Sequence, residues 1–204
     1  MTTILEGTAL AQDISCVRNG TTPTPSFRAA VRRIGLHLAA EISRHLPART
    51  IDVSTPLETT SGTVIDGTVV LVPVLRAGLG LLDPFLDILP DAAVGYVGLK
   101  RNEETLEAHR YYCNLPPLDD SIVIVLDPML ATGGTMCATL DLLKDIPHKA
   151  TYTASIIAAP EGIAAVTTQH PDVHVVVAQL DRCLNASGFI MPGLGDAGDR
   201  LFGT

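Results

Sequence analysis

The fold of this chain is decided by the stretch Ser121-Ile-Val-Ile-Val-Leu126 and the segment that follows it, Asp127-Pro-Met-Leu-Ala-Thr-Gly-Gly-Thr135. An apolar, β-branched run of this length is typical of a strand that is buried on both faces of a sheet. The glycine-containing segment leads into residues 136–144, where the apolar spacing predicts a helix. A buried strand, a glycine-rich loop and a helix in this order indicate a parallel α/β sheet.

The same alternation extends outward along the chain. Val- and Ile-rich runs predict strands at residues 68–74, 92–99, 151–158 and 173–180, and helical spacing predicts helices at 79–89 and 160–169. An amphipathic helix is predicted from Phe27 to Ile42 with Ser26 as its N-cap, after an irregular arm at 16–25. We therefore expect an α/β fold with a mainly parallel central sheet, helices on both faces and ligands at the carboxyl ends of the strands.

Composition and charge bound the classes of protein that fit. The 204 residues, 47% hydrophobic and 18% charged, predict one domain overall, in which residues 1–50 form an N-terminal arm and helix packed on residues 51–204. A formal net charge of −8 without a Lys/Arg run argues against a nucleic-acid partner. No apolar run approaches the roughly 18 residues that cross a bilayer, and the first residues lack a secretion signal. We therefore expect a cytoplasmic protein with no membrane partner.

The loop after residue 126 is where chemistry is expected. Two consecutive glycines, Gly133 and Gly134, ahead of a helix let backbone N–H groups approach an anion, so the loop predicts a phosphate site. It lacks the Gly-Lys-Ser/Thr of a Walker A loop, which argues against an NTPase. Asp127 would repel a phosphate, so a sugar diol or a metal is its natural partner. The alternative is that Asp127 caps a turn and Thr132 caps the helix.

This loop resembles the ribose-phosphate loop of the type I phosphoribosyltransferases, and its wording is similar to the uracil-specific members of that family. Four other segments are similar to blocks of the family, in the family's order: Val72-Pro-Val-Leu-Arg-Ala-Gly-Leu-Gly80, Arg101-Asn-Glu-Glu-Thr-Leu-Glu107, Ala158-Ala-Pro-Glu-Gly-Ile163 and Met191-Pro-Gly-Leu-Gly-Asp-Ala-Gly-Asp199. The resemblance covers residues 55–204 and is weak in residues 1–50.

The resemblance implies a type I phosphoribosyltransferase-like fold with a flexible hairpin hood at residues 101–107 and a C-terminal base-binding loop. It implies catalytic roles for Asp127, which holds the ribose hydroxyls, and for Arg76 and Arg101, which contact the diphosphate. A non-proline cis peptide is implied near Arg76. The residues implied to bind phosphoribosyl diphosphate are Arg76, Arg101, Asp127, Pro128, Met129, Leu130, Ala131, Thr132, Gly133, Gly134, Thr135 and Asp196. The residues implied to bind uracil are Ile190, Gly195, Asp196 and Ala197.

The implied reaction is transfer of the 5-phosphoribosyl group from phosphoribosyl diphosphate to uracil, which gives UMP and diphosphate in pyrimidine salvage. The resemblance also implies Mg²⁺ as cofactor, with Asp196 as its carboxylate, and GTP as an effector of some members. Length and apolar composition favour a homodimer or higher homo-oligomer. Two alternatives are a nucleotide-sensing regulator of the same fold that binds RNA and a transferase for orotate or a purine. The net charge of −8 disfavours the first, and the match at 188–199 disfavours the second.

Overall fold

The computed structural model describes residues 1–101 and 108–204, and the side chains of residues 1–99 and 111–204. A twisted central sheet runs through the described part of the chain in the order β1-β11-β10-β8-β4-β6-β7, with β5 beside β4 and β9 beside β10. These strands are β1 (Thr2–Ile4), β4 (Thr68–Leu75), β5 (Ala93–Val94), β6 (Tyr96–Arg101), β7 (Ala108–Asn114), β8 (Ser121–Leu126), β9 (Met129–Leu130), β10 (Ala150–Ala158) and β11 (His174–Leu180).

The sheet is parallel except for the β6–β7 pair, so the mainly parallel sheet that the sequence predicts is confirmed. Every residue of β8 is buried, which fits its position between β4 and β10 in the middle of the sheet. The run at 92–99 forms two strands instead of one, and Gly95 separates them. Its N–H donates to the carbonyl of Leu71 at 2.9 Å, and a Cβ at Gly95 would lie 2.7 Å from the Leu115 side chain. The pairing with β4 is therefore interrupted at Gly95, with β5 before it and β6 after it.

The helices are α1 (Thr8–Arg18), α2 (Thr24–Ser43), α3 (Leu79–Ile88), α4 (Gly134–Asp141), α5 (Pro160–Gln169) and α6 (Ala197–Phe202). The predictions for α3 and α5 are confirmed, while α4 begins two residues before its predicted start and ends three residues before its predicted end. The prediction for Ser26 is wrong, because α2 begins at Thr24 and Pro23 is its N-cap. A proline fits the first turn of a helix, where its missing N–H has no partner to lose. Pro25 therefore lies in the first turn of α2, and residues 24 and 25 of the predicted arm are helical.

Helices cover both faces of the sheet. Side chains of α1, α2 and α3 pack with Ile122, Ile124 and Leu126 of β8 on one face, while α4 and α5 pack with Val123 and Val125 on the other. This alternation follows from the two-residue period of a strand. The expected α/β architecture with a mainly parallel sheet is confirmed.

Two antiparallel hairpins lie outside the central sheet. The first pairs β2 (Ala48–Ser54) with β3 (Thr59–Ile65), and the second pairs β12 (Cys183–Leu184) with β13 (Ile190–Met191). Neither hairpin is among the predicted elements, and β1 and α1 are not among them either. Among the described residues, no helix has the length and apolar character needed to cross a membrane.

Candidate active site

A cleft of about 320 Å³ opens at the carboxyl ends of β4 and β8. Three segments far apart in the sequence form its walls: the turn after β4, the loop after β8, and the C-terminal loop that leads into α6. The residues that line it are Val74, Leu75, Arg76, Ala77, Leu99, Asp127, Met129, Ala131, Thr135, Ser187, Gly188, Phe189, Ile190, Gly195, Asp196, Ala197 and Gly198. Parallel α/β sheets bind their ligands at this edge, where the chain leaves the strands.

The loop after β8 is held tightly against α5. Gly133 is the N-cap of α4 and has a φ of +83°, a conformation that L side chains rarely adopt. A Cβ at Gly162 of α5 would lie 2.4 Å from the carbonyl oxygen of Ala131 and 2.7 Å from that of Leu130. The absence of a side chain at Gly162 therefore lets α5 support the backbone of the loop.

The start of α4 offers the backbone donors that the sequence predicts. The first N–H groups of a helix have no intrahelical carbonyl partner and lie at the positive end of the helix dipole. The Gly134 N–H lies 3.4 Å from Oγ1 of Thr132, so Thr132 contacts the first turn of α4. Thr135 faces the cleft from this turn. The loop and the helix start thus place backbone N–H donors beside Asp127, an arrangement that suits an anion.

Asp127 follows the last residue of β8 and faces the cleft. Its backbone N–H donates to the carbonyl of Ala154 at 3.1 Å, which fixes the residue at the end of the sheet. Its Oδ1 lies 3.4 Å from the N–H of Met129. Burial raises the pKa of Asp127 to about 6, and the Met129 N–H opposes this effect only in part. The geometry of Asp127 therefore fits both interpretations: the side chain caps a turn, and it also faces the cleft.

Arg76 lines the cleft from a tightly packed turn after β4. The peptide bond between Leu75 and Arg76 is cis, at the edge of the turn for which the resemblance implies one. A Cβ at Gly78 would lie 2.3 Å from the carbonyl oxygen of Leu126, so only glycine fits there. The guanidinium of Arg76 donates to Oδ1 of Asp199 at 3.2 Å, and both side chains are more than half exposed. This exposed pair leaves Arg76 able to reach a bound anion at little cost.

The C-terminal loop forms the third wall of the cleft. It begins with the β12–β13 hairpin, whose turn is closed by Oδ1 of Asn185, an acceptor for the N–H groups of Ser187 and Phe189. Ile190, the first residue of β13, is buried and lines the cleft. Gly195 has a φ of +82°, which turns the chain back toward Arg76. The structure thus brings the predicted base loop to the predicted phosphate loop.

Asp196 is the N-cap of α6. Its Oδ1 accepts a hydrogen bond from the Asp199 N–H at 2.9 Å, and the next residue, Ala197, is buried. Asp196 therefore lines the cleft and also begins the last helix. Arg101 is the last residue of β6, and its side chain, together with residues 102–107 of the predicted hood, lies outside the described residues.

Comparison with known proteins decides the family. The model of the uracil phosphoribosyltransferase family matches residues 4–204. A uracil phosphoribosyltransferase of Clostridioides difficile (strain 630) is 45% identical over 193 residues, which cover 94% of this chain and 92% of that protein. The chain belongs to the uracil phosphoribosyltransferase family. The family match includes residues 4–50, for which the sequence motifs predict only a weak resemblance.

Solved structures share the fold of this chain. The AQ2163 protein from Aquifex aeolicus has a TM-score of 0.92 and 38% identity, and the match covers 99% of this chain and 98% of that one. A purine phosphoribosyltransferase from Pyrococcus horikoshii has a TM-score of 0.51 and 20% identity, with 74% and 85% covered. At that identity the second match shows a shared fold alone. The type I phosphoribosyltransferase fold expected from the sequence is thus confirmed.

Several residues of this uracil phosphoribosyltransferase cleft are absent from the sequence predictions. Ser187, Gly188 and Phe189 reach the cleft because the β12–β13 hairpin folds over it, and no local pattern announces so short a hairpin. Asp181, which lies outside the cleft, is also absent from the sequence predictions, although it follows β11 directly, as Asp127 follows β8. An acid after a buried strand is the signal that could have found it.

Proposed function

We propose that this chain transfers the 5-phosphoribosyl group of phosphoribosyl diphosphate to N1 of uracil, giving UMP and diphosphate. The observation that carries the proposal is the meeting of three segments in one cleft: the anion loop before α4, the cation of Arg76, and the C-terminal loop around Gly195. Family membership over nearly the whole chain supports the same reaction. A bond forms between N1 and the anomeric carbon, the bond from that carbon to diphosphate breaks, and N1 loses its proton.

Each wall of the cleft has a task in this reaction. The N–H groups at the start of α4 hold the 5′-phosphate, which fixes the position of the ribose. Asp127 accepts hydrogen bonds from the two ribose hydroxyls, a pairing that suits a carboxylate with two oxygens. Arg76 donates to the leaving diphosphate, where negative charge grows as the bond to the anomeric carbon breaks. Arg101 is proposed to share this task on the basis of the family resemblance.

Mg²⁺ is proposed as the cofactor of this cleft. Within the described residues, no group of three or more His, Cys, Asp or Glu side chains is arranged to hold an ion. Oxygen donors at Asp127 and Asp196 nevertheless line the cleft, and Mg²⁺ commonly binds through substrate phosphates and one or two carboxylates. When bound, the ion supplies positive charge to the diphosphate oxygens. Excess chelator should abolish diphosphate release, and added Mg²⁺ should restore it.

Recognition of the base is proposed to depend on the backbone near Ile190, Gly195 and Ala197. A main-chain N–H aimed at O4 and a carbonyl that accepts N3–H would read uracil. Both groups would be mismatched by cytosine, which has an amino group at position 4 and no hydrogen on N3. Buried polar groups left unpaired in this way allow rejection by a factor of about 10⁴. The 5-fluoro analogue of uracil keeps the whole pattern.

The test of the proposed function measures kcat/KM for uracil, 5-fluorouracil, cytosine, orotate and hypoxanthine, with diphosphate release as the readout. We expect use of uracil and 5-fluorouracil and rejection of the other three bases. Comparable use of cytosine would contradict backbone readout. Preference for orotate or hypoxanthine would contradict the uracil assignment.

The assembly and regulation of the chain are proposals from composition and resemblance. A homodimer or higher homo-oligomer is the expected state, and sedimentation of the purified chain measures it. Activation by GTP is tested by adding GTP at subsaturating phosphoribosyl diphosphate. A cytoplasmic location is proposed from the salvage reaction itself.

A further inference from the structure

An ion pair outside the cleft reaches the backbone of the C-terminal loop. Asp181 is buried at the end of β11, where its side chain is 2% exposed and faces Arg18 at the end of α1. Both guanidinium NH₂ groups of Arg18 donate to the Asp181 carboxylate. A buried carboxylate with a two-point partner is costly to disrupt, because removal of either member leaves the other charge buried and unpaired.

This ion pair also holds both backbone groups of Gly193. Oδ2 of Asp181 accepts a hydrogen bond from the Gly193 N–H at 2.8 Å, and Nη1 of Arg18 donates to the Gly193 carbonyl at 3.0 Å. Gly193 has a φ of +66°, and a Cβ there would lie 2.3 Å from the carbonyl oxygen of Ile190. The peptide groups on either side of this glycine are therefore fixed by side chains from two other elements.

A second arginine, Arg200, connects the next residue of the loop, Leu194, to the end of α1. Arg200 donates to the carbonyl of Leu194 at 2.7 Å and to the carbonyl of Asn19 at 2.7 Å, and it also contacts the carbonyl of Val17. These last two carbonyls belong to the C-terminal end of α1, where backbone acceptors lack helical partners. The end of α1 is thus joined to two consecutive loop residues, immediately before Gly195 faces the cleft.

We propose that Arg18 and Asp181 are positioning residues for base recognition, and that their ion pair sets the path of the loop at 193–197. Neither residue lines the cleft, so they act through the backbone of Gly193. A loop that reads a base with main-chain groups has no side chain of its own to correct a misplaced peptide. The accuracy of base recognition then depends on the groups that hold the backbone. This inference rests on the proposed function.

The chain offers a matched control for a purely structural role. Arg33 of α2 makes a two-point ion pair with Asp13 of α1, with both Asp13 oxygens 3.0 Å from Nε of Arg33. Asp13 is nearly buried, with a side chain that is 7% exposed, but neither residue contacts the C-terminal loop. Arg18→Ala and Arg33→Ala therefore each remove the two-point partner of a buried carboxylate, and each ion pair includes one residue of α1. Only Arg18→Ala removes contacts to Gly193.

The experiment compares the two variants in steady-state kinetics. We expect Arg18→Ala to raise the KM for uracil by about tenfold or more and to leave the KM for phosphoribosyl diphosphate within about twofold, since only uniform binding of the base is lost. Arg33→Ala should leave both constants within about twofold of the wild type. Millimolar guanidinium should lower the uracil KM of Arg18→Ala and have no effect on Arg33→Ala. An equal effect of the two variants, or an equal rise in both KM values, would overturn the proposal.

Hydrogen exchange gives a readout that does not depend on activity. Peptides that cover residues 190–198 should exchange faster in Arg18→Ala than in Arg33→Ala, and unchanged exchange would overturn the proposal. If Arg18→Ala fails to fold, Arg18→Lys serves, because one ammonium cannot replace a guanidinium that contacts Asp181 and Gly193 together. If wild-type protein releases no diphosphate with uracil, the proposed function fails, while the exchange comparison still decides whether Arg18 holds the loop.

Discussion

At the scale of single residues, Asp127 has an ionised form that its surroundings disfavour. Burial raises its pKa to about 6 from an ordinary value of 3.8. A folded-state pKa above the unfolded value means that the folded protein binds the proton more tightly. The stability of the fold therefore falls as pH rises from about 4 to about 6 and this carboxyl group ionises. A residue that costs stability in its working state is typical of a functional site.

We predict that Asp127→Asn stabilises the protein and inactivates it. At about pH 8 the free energy of unfolding should rise by about 1–2 kcal/mol, since the amide needs no charge in the buried position. Turnover should fall strongly, because an amide is a weaker acceptor for two ribose hydroxyls. The stability gain should vanish below about pH 4, where the wild-type carboxyl is protonated in both states. Urea unfolding at several pH values and diphosphate release measure the two effects.

Asp141→Asn is the control for this prediction. Asp141 is the last residue of α4, half exposed and paired with Lys144, and it lies outside the cleft. Its replacement should leave activity unchanged and should give no gain in the free energy of unfolding between about pH 4 and pH 8. Normal kinetics in Asp127→Asn would remove Asp127 from the mechanism.

For Arg76 we expect a kinetic effect without a stability effect. Arg76→Ala should lower kcat/KM by more than about tenfold, because a charge-assisted contact to a developing anion contributes roughly 1.5–3 kcal/mol. The free energy of unfolding should change by less than about 1 kcal/mol, since the pair with Asp199 is exposed. Arg101→Ala carries the same kinetic expectation.

Arg32→Ala is the matched control for Arg76→Ala. It is half exposed and paired with Asp87, and the cleft does not include it. Arg32→Ala should retain normal kcat/KM. Wild-type activity in Arg76→Ala would show that another group stabilises the diphosphate.

At the scale of elements, the packing of α5 on the phosphate loop determines where the loop lies. Gly162→Ala would place a methyl group 2.4 Å from the carbonyl oxygen of Ala131, so the loop or the helix must move. We expect a loss of about 1–3 kcal/mol in stability. The KM for phosphoribosyl diphosphate should rise more than the KM for uracil, because the displaced backbone belongs to the anion site.

Gly20→Ala tests whether loss of a glycine alone has this effect. A Cβ at Gly20 meets no atom within 4 Å, and the residue lies outside both α1 and α2. Thermal unfolding and both KM values should stay at wild-type levels. A normal KM for phosphoribosyl diphosphate in Gly162→Ala would contradict the support that α5 is expected to give.

At the scale of the whole molecule, the first helices share one core with the sheet. Ile34 of α2 is fully buried in the cluster that includes Ile124 and Leu126 of β8. We predict that Ile34→Ala lowers the free energy of unfolding by about 2–5 kcal/mol, as loss of a buried branched side chain does. The folded protein should keep its KM values, because the cavity lies away from the cleft. Ile88→Ala, at a site that is 40% exposed, should cost much less.

The sequence predicts the central strands and two helices well, because the pattern that marks each element lies within its own residues. Residues 121–126 and 160–169 match their elements at both ends, since an apolar run or a first-turn proline marks the boundary. The short elements are missed for an equally physical reason. A strand of three residues such as β1 (Thr2–Ile4) has no pattern of its own and exists only because β11 offers its edge.

The residue types alone predict the family, the parallel sheet and a phosphate site after β8, since the glycines, Arg76, Asp127 and the loop after Ile190 form local patterns. The contact of Arg18 and Asp181, 163 residues apart, at the backbone of Gly193 is visible only in the folded chain. A buried ion pair depends on two side chains that share no local pattern. The packing of α1 beside the end of β11 brings the two side chains together. The spacing of residues along the chain does not predict this contact.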